Sequence, residues 1–190
     1  RTVSTPAMQA IMGELPWRYK ALDLGLRYRL ERNINTPRDL AIDVTDVRDK
    51  TPKEIKKFIN ERLQESWRHE WEEQTKGRTT YEFIKNPAII KDLHWFQPTL
   101  EQLFIITGHG TLNKYLYDKN ISDNADCQCA QAPEDWKHVL FDCPLYTDLR
   151  TWDPNLRNNI NRFMEERVEY EKFRNFCESV FARKKETLVT

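Results

Sequence analysis

The chain has 190 residues, 39% hydrophobic and 32% charged, and its 30 Lys and Arg balance 30 Asp and Glu. This describes a folded, charge-rich protein with room for one substantial core, and it excludes a disordered chain. Five glycines are few for an all-β or glycine-loop enzyme, no apolar run approaches the roughly eighteen residues of a spanning helix, and the first residues lack a signal-peptide pattern.

The elements follow one another as capped helices. Thr5-Pro6 opens a short helix over 6–12, and Gly13-Glu14-Leu15-Pro16 separates it from a second over 17–33. That second helix carries Ala21, Leu24 and Tyr28 on one face and Leu22, Leu26 and Leu30 on another, so it is expected to be covered on more than one side and to need a packing partner. Segment 34–50 is polar with weak periodicity and reads as a linker. Thr51-Pro52-Lys53-Glu54 is a capping box, and the helix it opens carries Ile55, Phe58, Ile59, Leu63, Trp67 and Trp71 at spacings of three and four until Gly77, the expected stop. Leu100, Leu103, Phe104 and Ile106 predict a short helix ending at Gly108-His109-Gly110, where His109 reads as turn chemistry. A further helix is expected around 111–117, and two more over about 154–164 and 167–184, the last with Tyr170, Phe173, Cys177, Val180 and Phe181 on one face. Nothing alternates with period two for long. The expectation is an all-α fold, a helical bundle with a small zinc-clasped CCHC knuckle loop. Three parts are expected: 1–33, the linker 34–50, and a C-terminal domain 51–190 with the knuckle at 127–143.

The knuckle is the strongest chemical signal. Cys127-Gln128-Cys129, His138 and Cys143 form Cys-x-Cys-x8-His-x4-Cys, which offers three thiolates and one imidazole to a single zinc ion. The alternative is two reduced surface thiols, a core cysteine and a polar histidine; a disulfide framework makes no sense in a chain of this size with four cysteines. A set of four protein ligands leaves no open position for water, so the zinc is expected to be structural. No adjacent Asp-Asp pair, zincin helix, phosphate loop or nucleophile elbow is present, so no residue is assigned a catalytic role and no small-molecule substrate is expected.

Charge is unevenly spread. Residues 1–38 carry seven basic groups against Glu14, Asp23 and Glu31, while residues 100–149 carry Lys114, Lys119 and Lys137 against eight acids. The basic end can face phosphates; the acidic knuckle region reads as a structural clasp or a shape-specific contact.

Ile106-Thr107-Gly108-His109-Gly110, Tyr115-Leu116, Cys127-x-Cys129 and His138-Val139-Leu140-Phe141-x-Cys143-Pro144 occur in this order, as do Trp67-x3-Trp71, Lys76-Gly77-Arg78 with Tyr81, and Arg1-Thr2-Val3-Ser4-Thr5-Pro6-Ala7-Met8 with Leu15-Pro16. Together these resemble the C-terminal region of non-LTR retrotransposon reverse transcriptases of arthropod lineages, from thumb helices to knuckle. Ala130 stands where that family usually has glycine, and Lys137 where it usually has glutamate. The resemblance implies a piece of a longer protein, which Arg1 in place of an initiating Met also suggests. That piece lacks the endonuclease domain and the polymerase aspartates, and the stretch before the knuckle is too short for the ribonuclease H domain some relatives carry. It further implies a non-catalytic role in target-primed reverse transcription, with element RNA, target DNA and the remainder of the polyprotein as partners. The protein is expected to be intracellular, nuclear when acting on target DNA, and not associated with membranes. Candidate nucleic-acid contacts are Arg18, Lys20, Arg27, Arg29, Arg32, Lys76, Arg78 and Trp136. For Trp136, one helical turn from Leu140, the alternative is core packing.

Overall fold

The structure, a computed structural model, describes residues 3–32, 34, 47 and 49–187. Among these it is all-α, with one isolated bridge between Asp126 and Pro133. The expected linker over 34–50 lies outside the described residues except at Ile34, Val47, Asp49 and Lys50.

Local sequence sets most boundaries. Helix α1 (Thr5–Met12) has proline in its first turn and ends at Gly13, where φ is 61°. A side chain at Gly13 would meet the Lys91 backbone nitrogen at 3.0 Å, so both conformation and close approach require glycine there. Helix α2 (Trp17–Glu31) follows Pro16, and α3 (Pro52–Glu73) opens on the expected capping box: Thr51 Oγ1 accepts from the Glu54 amide, and the Glu54 carboxylate accepts from the Thr51 amide at 2.7 Å.

Helix α3 covers its whole stripe but ends before the expected stop at Gly77. Gln74 is its C-cap, and Gly77 is instead the N-cap of α4 (Arg78–Phe83). Arg78 donates back to the carbonyls of Trp71, Glu72 and Gln74, satisfying acceptors that a terminating helix leaves open. A 3-10 turn over Pro87–Asp92 leads to α5 (Leu100–Thr107), which carries a second capping box from Thr99 to Gln102 and ends at Gly108. Helix α6 (Asn113–Asp118) precedes the knuckle, and a π turn (His138–Asp142) and 3-10 turns (Pro144–Leu149, Pro154–Asn158) follow. The single helix expected over 154–164 is broken at Asn159, where φ is −138°, so only α7 (Arg162–Glu165) remains helical before α8 (Arg167–Thr187).

Helix α8 is the axis of the larger core. Its residues Tyr170, Phe173, Cys177, Val180 and Phe181 are all buried, and it packs on α5, α7 and the 144–149 turn. Aromatic rings knit this core: Phe163 lies 5.2 Å and Phe83 5.8 Å from Phe173, and Trp152 lies 4.8 Å from Phe176. Each buried ring contributes roughly 1.5–3 kcal/mol of apolar burial. Helix α1 joins this core through Ala7, Ala10 and Ile11, and Trp71 reaches it from the end of α3, donating its indole N–H to the Ile84 carbonyl at 2.7 Å.

A second, smaller cluster joins Tyr19, Leu26 and Leu30 of α2 to Ile59, Leu63 and Trp67 of α3, with Val47. Among the described residues the other apolar face of α2 is exposed: Trp17 is 78%, Leu24 70% and Tyr28 55% exposed. No described helix is long and apolar enough to cross a membrane.

Candidate metal centre

The knuckle begins with a tight turn. Ser122 and Asn124 fold the approach, with the Asn124 side chain accepting from the Asp126 amide at 2.8 Å. Cys127 then donates its amide to the Ala132 carbonyl at 3.0 Å, and the Ala130 amide returns to the Cys127 carbonyl at 2.8 Å. Closing so tight a loop forces Ala130 to φ 56°, the left-handed region that an alanine Cβ resists.

The other two donors come from the π turn. In an α-helix, residues five apart lie about 140° apart around the axis. Here the Cys143 amide donates to the His138 carbonyl at 2.7 Å, and this wider turn brings His138 and Cys143 to the same side. Asp135 fixes the start of the turn by accepting from the His138 amide at 2.8 Å.

The four donor atoms converge. Cys129 Sγ lies 3.2 Å from His138 Nε2, Cys127 Sγ lies 3.6 Å from Cys143 Sγ, and all four atoms lie within 4.8 Å of one another. A tetrahedral zinc site would have edges of about 3.8 Å between sulfurs and about 3.5 Å from sulfur to nitrogen. The set therefore has the chemistry and nearly the spacing to hold one metal ion. Cys127, His138 and Cys143 are buried and Cys129 is partly so. Burial pushes the Cys127 thiol up to about 12 and raises Cys143. Burial also pulls Cys129 upward, but hydrogen bonds from the Gln131 amide and from the Cys127 and Cys143 side chains outweigh it and hold that thiol below its usual value. A dication held by Cys127, Cys129, His138 and Cys143 would supply the charge that favours the thiolate form.

Two supports have no local signature in the sequence. Arg150 donates to the carbonyls of Val139 (3.1 Å), Leu140 (2.9 Å) and Cys143 (2.8 Å), closing the end of the π turn with one planar fork. Glu134, 1% exposed, accepts from the Asn113 amide at 2.9 Å and from Lys184 of α8 at 2.6 Å.

The chain is homologous to a C-terminal part of R1 retrotransposon Pol polyproteins. It is 33% identical over 192 residues to the Retrovirus-related Pol polyprotein from type-1 retrotransposable element R1 of Bradysia coprophila, an alignment covering 97% of the chain and 19% of that protein. Two R1 Pol polyproteins of Nasonia vitripennis are 34% and 36% identical, over 80% and 71% of the chain and 37% and 40% of their own lengths. The R1-like chain thus spans less than half the length of these relatives. No family model matches it, and no solved structure matches it.

The candidate nucleic-acid residues of this R1-like chain fall outside the knuckle, except Trp136. On α2, Arg18 pairs with Glu70 and lies over Tyr19, Lys20 reaches Glu14 at 2.6 Å, and Arg27 pairs with Asp23. Arg29 is exposed, and Arg32 lies 4.1 Å over the Tyr28 ring. Lys76 is exposed at the α3–α4 corner, where Arg78 is engaged by the α3 carbonyls and stacks 4.0 Å over Tyr81. Trp136 is 9% exposed, packs 5.1 Å from Phe83 and carries the Lys137 ammonium 5.2 Å from its ring centre, which favours the core-packing alternative over a stacking platform. Tyr146, three residues past Cys143, is buried against Phe176. His109 serves the turn after α5, its Nδ1 2.7 Å from the Thr107 carbonyl and its ring tilted against Tyr115 at 4.6 Å.

Proposed function

We propose that this chain is a non-catalytic, nucleic-acid-binding part of an R1-type Pol polyprotein, contacting element RNA or target DNA during target-primed reverse transcription. Cys127, Cys129, His138 and Cys143 hold one structural zinc ion, and no residue of the chain performs a chemical step. The convergence of four zinc-type donors within 4.8 Å, in a chain similar to R1 Pol polyproteins, carries this reading. Three sulfurs and a nitrogen suit a closed tetrahedral site rather than a water-activating one. Zinc would fix the fold of the knuckle, and the exposed cations Arg29, Arg32 and Lys76 are its first candidates for phosphate contact. The rest of the polyprotein is the other partner, and the site of action on target DNA is the nucleus.

Two measurements test the proposal together. Metal analysis should find one zinc per chain, lost in Cys143→Ser, and filter binding should retain structured RNA or nicked duplex with affinity falling as salt rises. Absence of binding even at low salt refutes the nucleic-acid role.

A second reading, a zinc-stabilised helical scaffold for protein interaction, is favoured by the uncovered Trp17, Leu24 and Tyr28 stripe of α2. It predicts a stable protein partner and little salt dependence, and a pull-down that returns only nucleic acid would count against it.

A further inference from the structure

Helix α3 sorts its charged residues by sign. With 3.6 residues per turn, Lys53, Lys56, Lys57, Asn60, Gln64 and Arg68 fall within one arc of roughly 120°, and no acid shares it. Glu54, Glu61, Glu65 and Glu72 collect on the flank beyond. The seam with α2 runs along Ile59, Leu63 and Trp67, so the cationic arc borders the seam and stays open. Its polar residues are exposed, except Gln64, which is partly so.

Little around these cations neutralises them. Among the described residues Lys53, Lys56 and Arg68 make no ion pair, and Lys57 reaches Glu61 only at 3.8 Å. Lys53 has Lys56 and Lys57 at i,i+3 and i,i+4, a like-charge arrangement that works against the helix. Interspersed signs would have stabilised it, whereas segregated signs leave a positive field on one side.

The arc limits its occupant. It presents no exposed apolar residue, whereas protein interfaces centre on apolar and aromatic anchors and are depleted of lysine. A membrane surface takes a helix by its apolar face, and α2 already covers that face of α3. Single-stranded nucleic acid is held on aromatic platforms, and the arc exposes none. What remains is a partner recognised by anionic charge and hydrogen-bond acceptors alone, over the roughly 22 Å from Lys53 to Arg68. A base-paired nucleic acid presents such a surface, a regular row of phosphates with its bases turned inward.

Resting on the nucleic-acid reading above, we infer that α3 lies along the phosphate backbone of a nucleic-acid duplex. Lys53, Lys56, Lys57 and Arg68 pair with phosphates, and the Asn60 and Gln64 amides donate between them. None of these residues is among the contacts expected from the sequence. Recognition of this kind fixes the position of the chain on the duplex without selecting a sequence.

The test measures binding of the full chain to a DNA duplex, an RNA hairpin and an unpaired strand, each over a salt series. The wild-type chain should prefer a base-paired probe to the unpaired strand, and the two base-paired arms tell whether DNA or RNA supplies the backbone. Replacing Lys53→Gln, Lys56→Gln and Lys57→Gln together should lower the slope of log affinity against log salt by about 2–3 on the DNA duplex, from roughly 0.9 per phosphate contact. The loss should be equal for unrelated sequences, and arginine at the same three positions should restore the slope. All three positions are exposed, so the fold should persist, with helicity and metal content as checks. If the glutamine variant keeps the wild-type slope, or if its loss falls on the unpaired strand alone, the α3 surface is refuted while nucleic-acid binding stands. If polyglutamate of matched charge displaces the duplex as well as a second duplex does, the surface reads charge alone and the duplex assignment is refuted. If no probe binds the wild-type chain at low salt, the broader reading fails and takes this inference with it.

Discussion

The knuckle side and the α2–α3 side of this molecule are held together by different physics. Around the knuckle, apolar burial on α8 is supplemented by polar ties that cross between elements: Arg150 on three carbonyls, Glu134 between α6 and α8, and four donors with the chemistry to share a cation. The α2–α3 pair rests chiefly on an apolar seam from Tyr19 to Trp67, with one polar tie where Arg18 and the Tyr19 hydroxyl meet Glu70, and α2 turns Trp17, Leu24 and Tyr28 outward. A loop of short turns cannot stand on hydrophobic burial alone and needs specific links, whereas two long helices can pair through one seam and leave a face for another surface.

The largest test of this contrast is removal of the proposed zinc, by chelation or by Cys143→Ser. Structural zinc contributes on the order of 10 kcal/mol in small sites, which is comparable with the whole stability of a typical domain. Hydrogen exchange should show loss of protection over 106–150, while the α2–α3 seam stays protected because none of its buried residues touches the donor set. A soluble Cys143→Ser protein with full protection in the knuckle would contradict the clasp. So would loss spread evenly over α2 and α3, which would mean that the two sides form one cooperative unit.

The reverse experiment is Leu63→Ala. Leu63 is fully buried in the α2–α3 seam, and a truncation of this kind costs roughly 2–5 kcal/mol. Thermal unfolding should report a loss of that size, and zinc content should remain at the wild-type value. Loss of metal in this variant would erase the distinction between the two sides.

These two experiments probe features of unequal legibility. The capping box at Thr51, the α8 stripe and the Cys-x-Cys-x8-His-x4-Cys pattern are local, encoded within a few turns of chain, and each appears in the structure where its spacing puts it. Helix α4 and the 87–92 turn are six residues each, too short to show a periodicity. The role of Gly77 depended on Arg78 reaching back to finish α3, a tertiary-like contact made by a residue that looked like a phosphate binder. Glu134 and Lys184 are fifty residues apart in sequence, and no composition or spacing rule joins them. The burial of Trp136 was decided by Phe83, an element the sequence did not announce. Among the basic residues of α2, Arg27 has a local partner in Asp23 at i,i+4, whereas Arg18 meets Glu70 of α3, a contact no spacing rule joins.

Arg150→Ala sharpens the comparison at a smaller scale. Its three carbonyl acceptors are part-buried, and hydrogen bonds to a charged donor contribute roughly 1.5–3 kcal/mol. The expected outcome is a lower melting temperature together with faster thiol-triggered zinc release, because the π turn that presents His138 and Cys143 loses its cap. Arg150→Lys should recover little, since an ammonium cannot reproduce the planar fork. A wild-type zinc release rate in Arg150→Ala would show that the turn is held by its cysteine and histidine alone.

Ala130→Gly should act in the opposite direction and more weakly. At φ 56° an alanine carries roughly 1–2 kcal/mol of left-handed strain, which glycine removes. Glycine also gives the unfolded chain more freedom, costing roughly 0.4–1 kcal/mol. The net gain is therefore about 0–1.6 kcal/mol, and it should be confined to the knuckle: slower zinc release and greater exchange protection around Cys127 and Cys129, with the α2–α3 seam unchanged. Because the strain is released only when the turn forms, the gain should also vanish in metal-free protein whose knuckle has opened. A variant less stable than wild type would mean that the Ala130 methyl makes a contact worth more than the strain it imposes, and the turn would then be held by packing as well as by its donors.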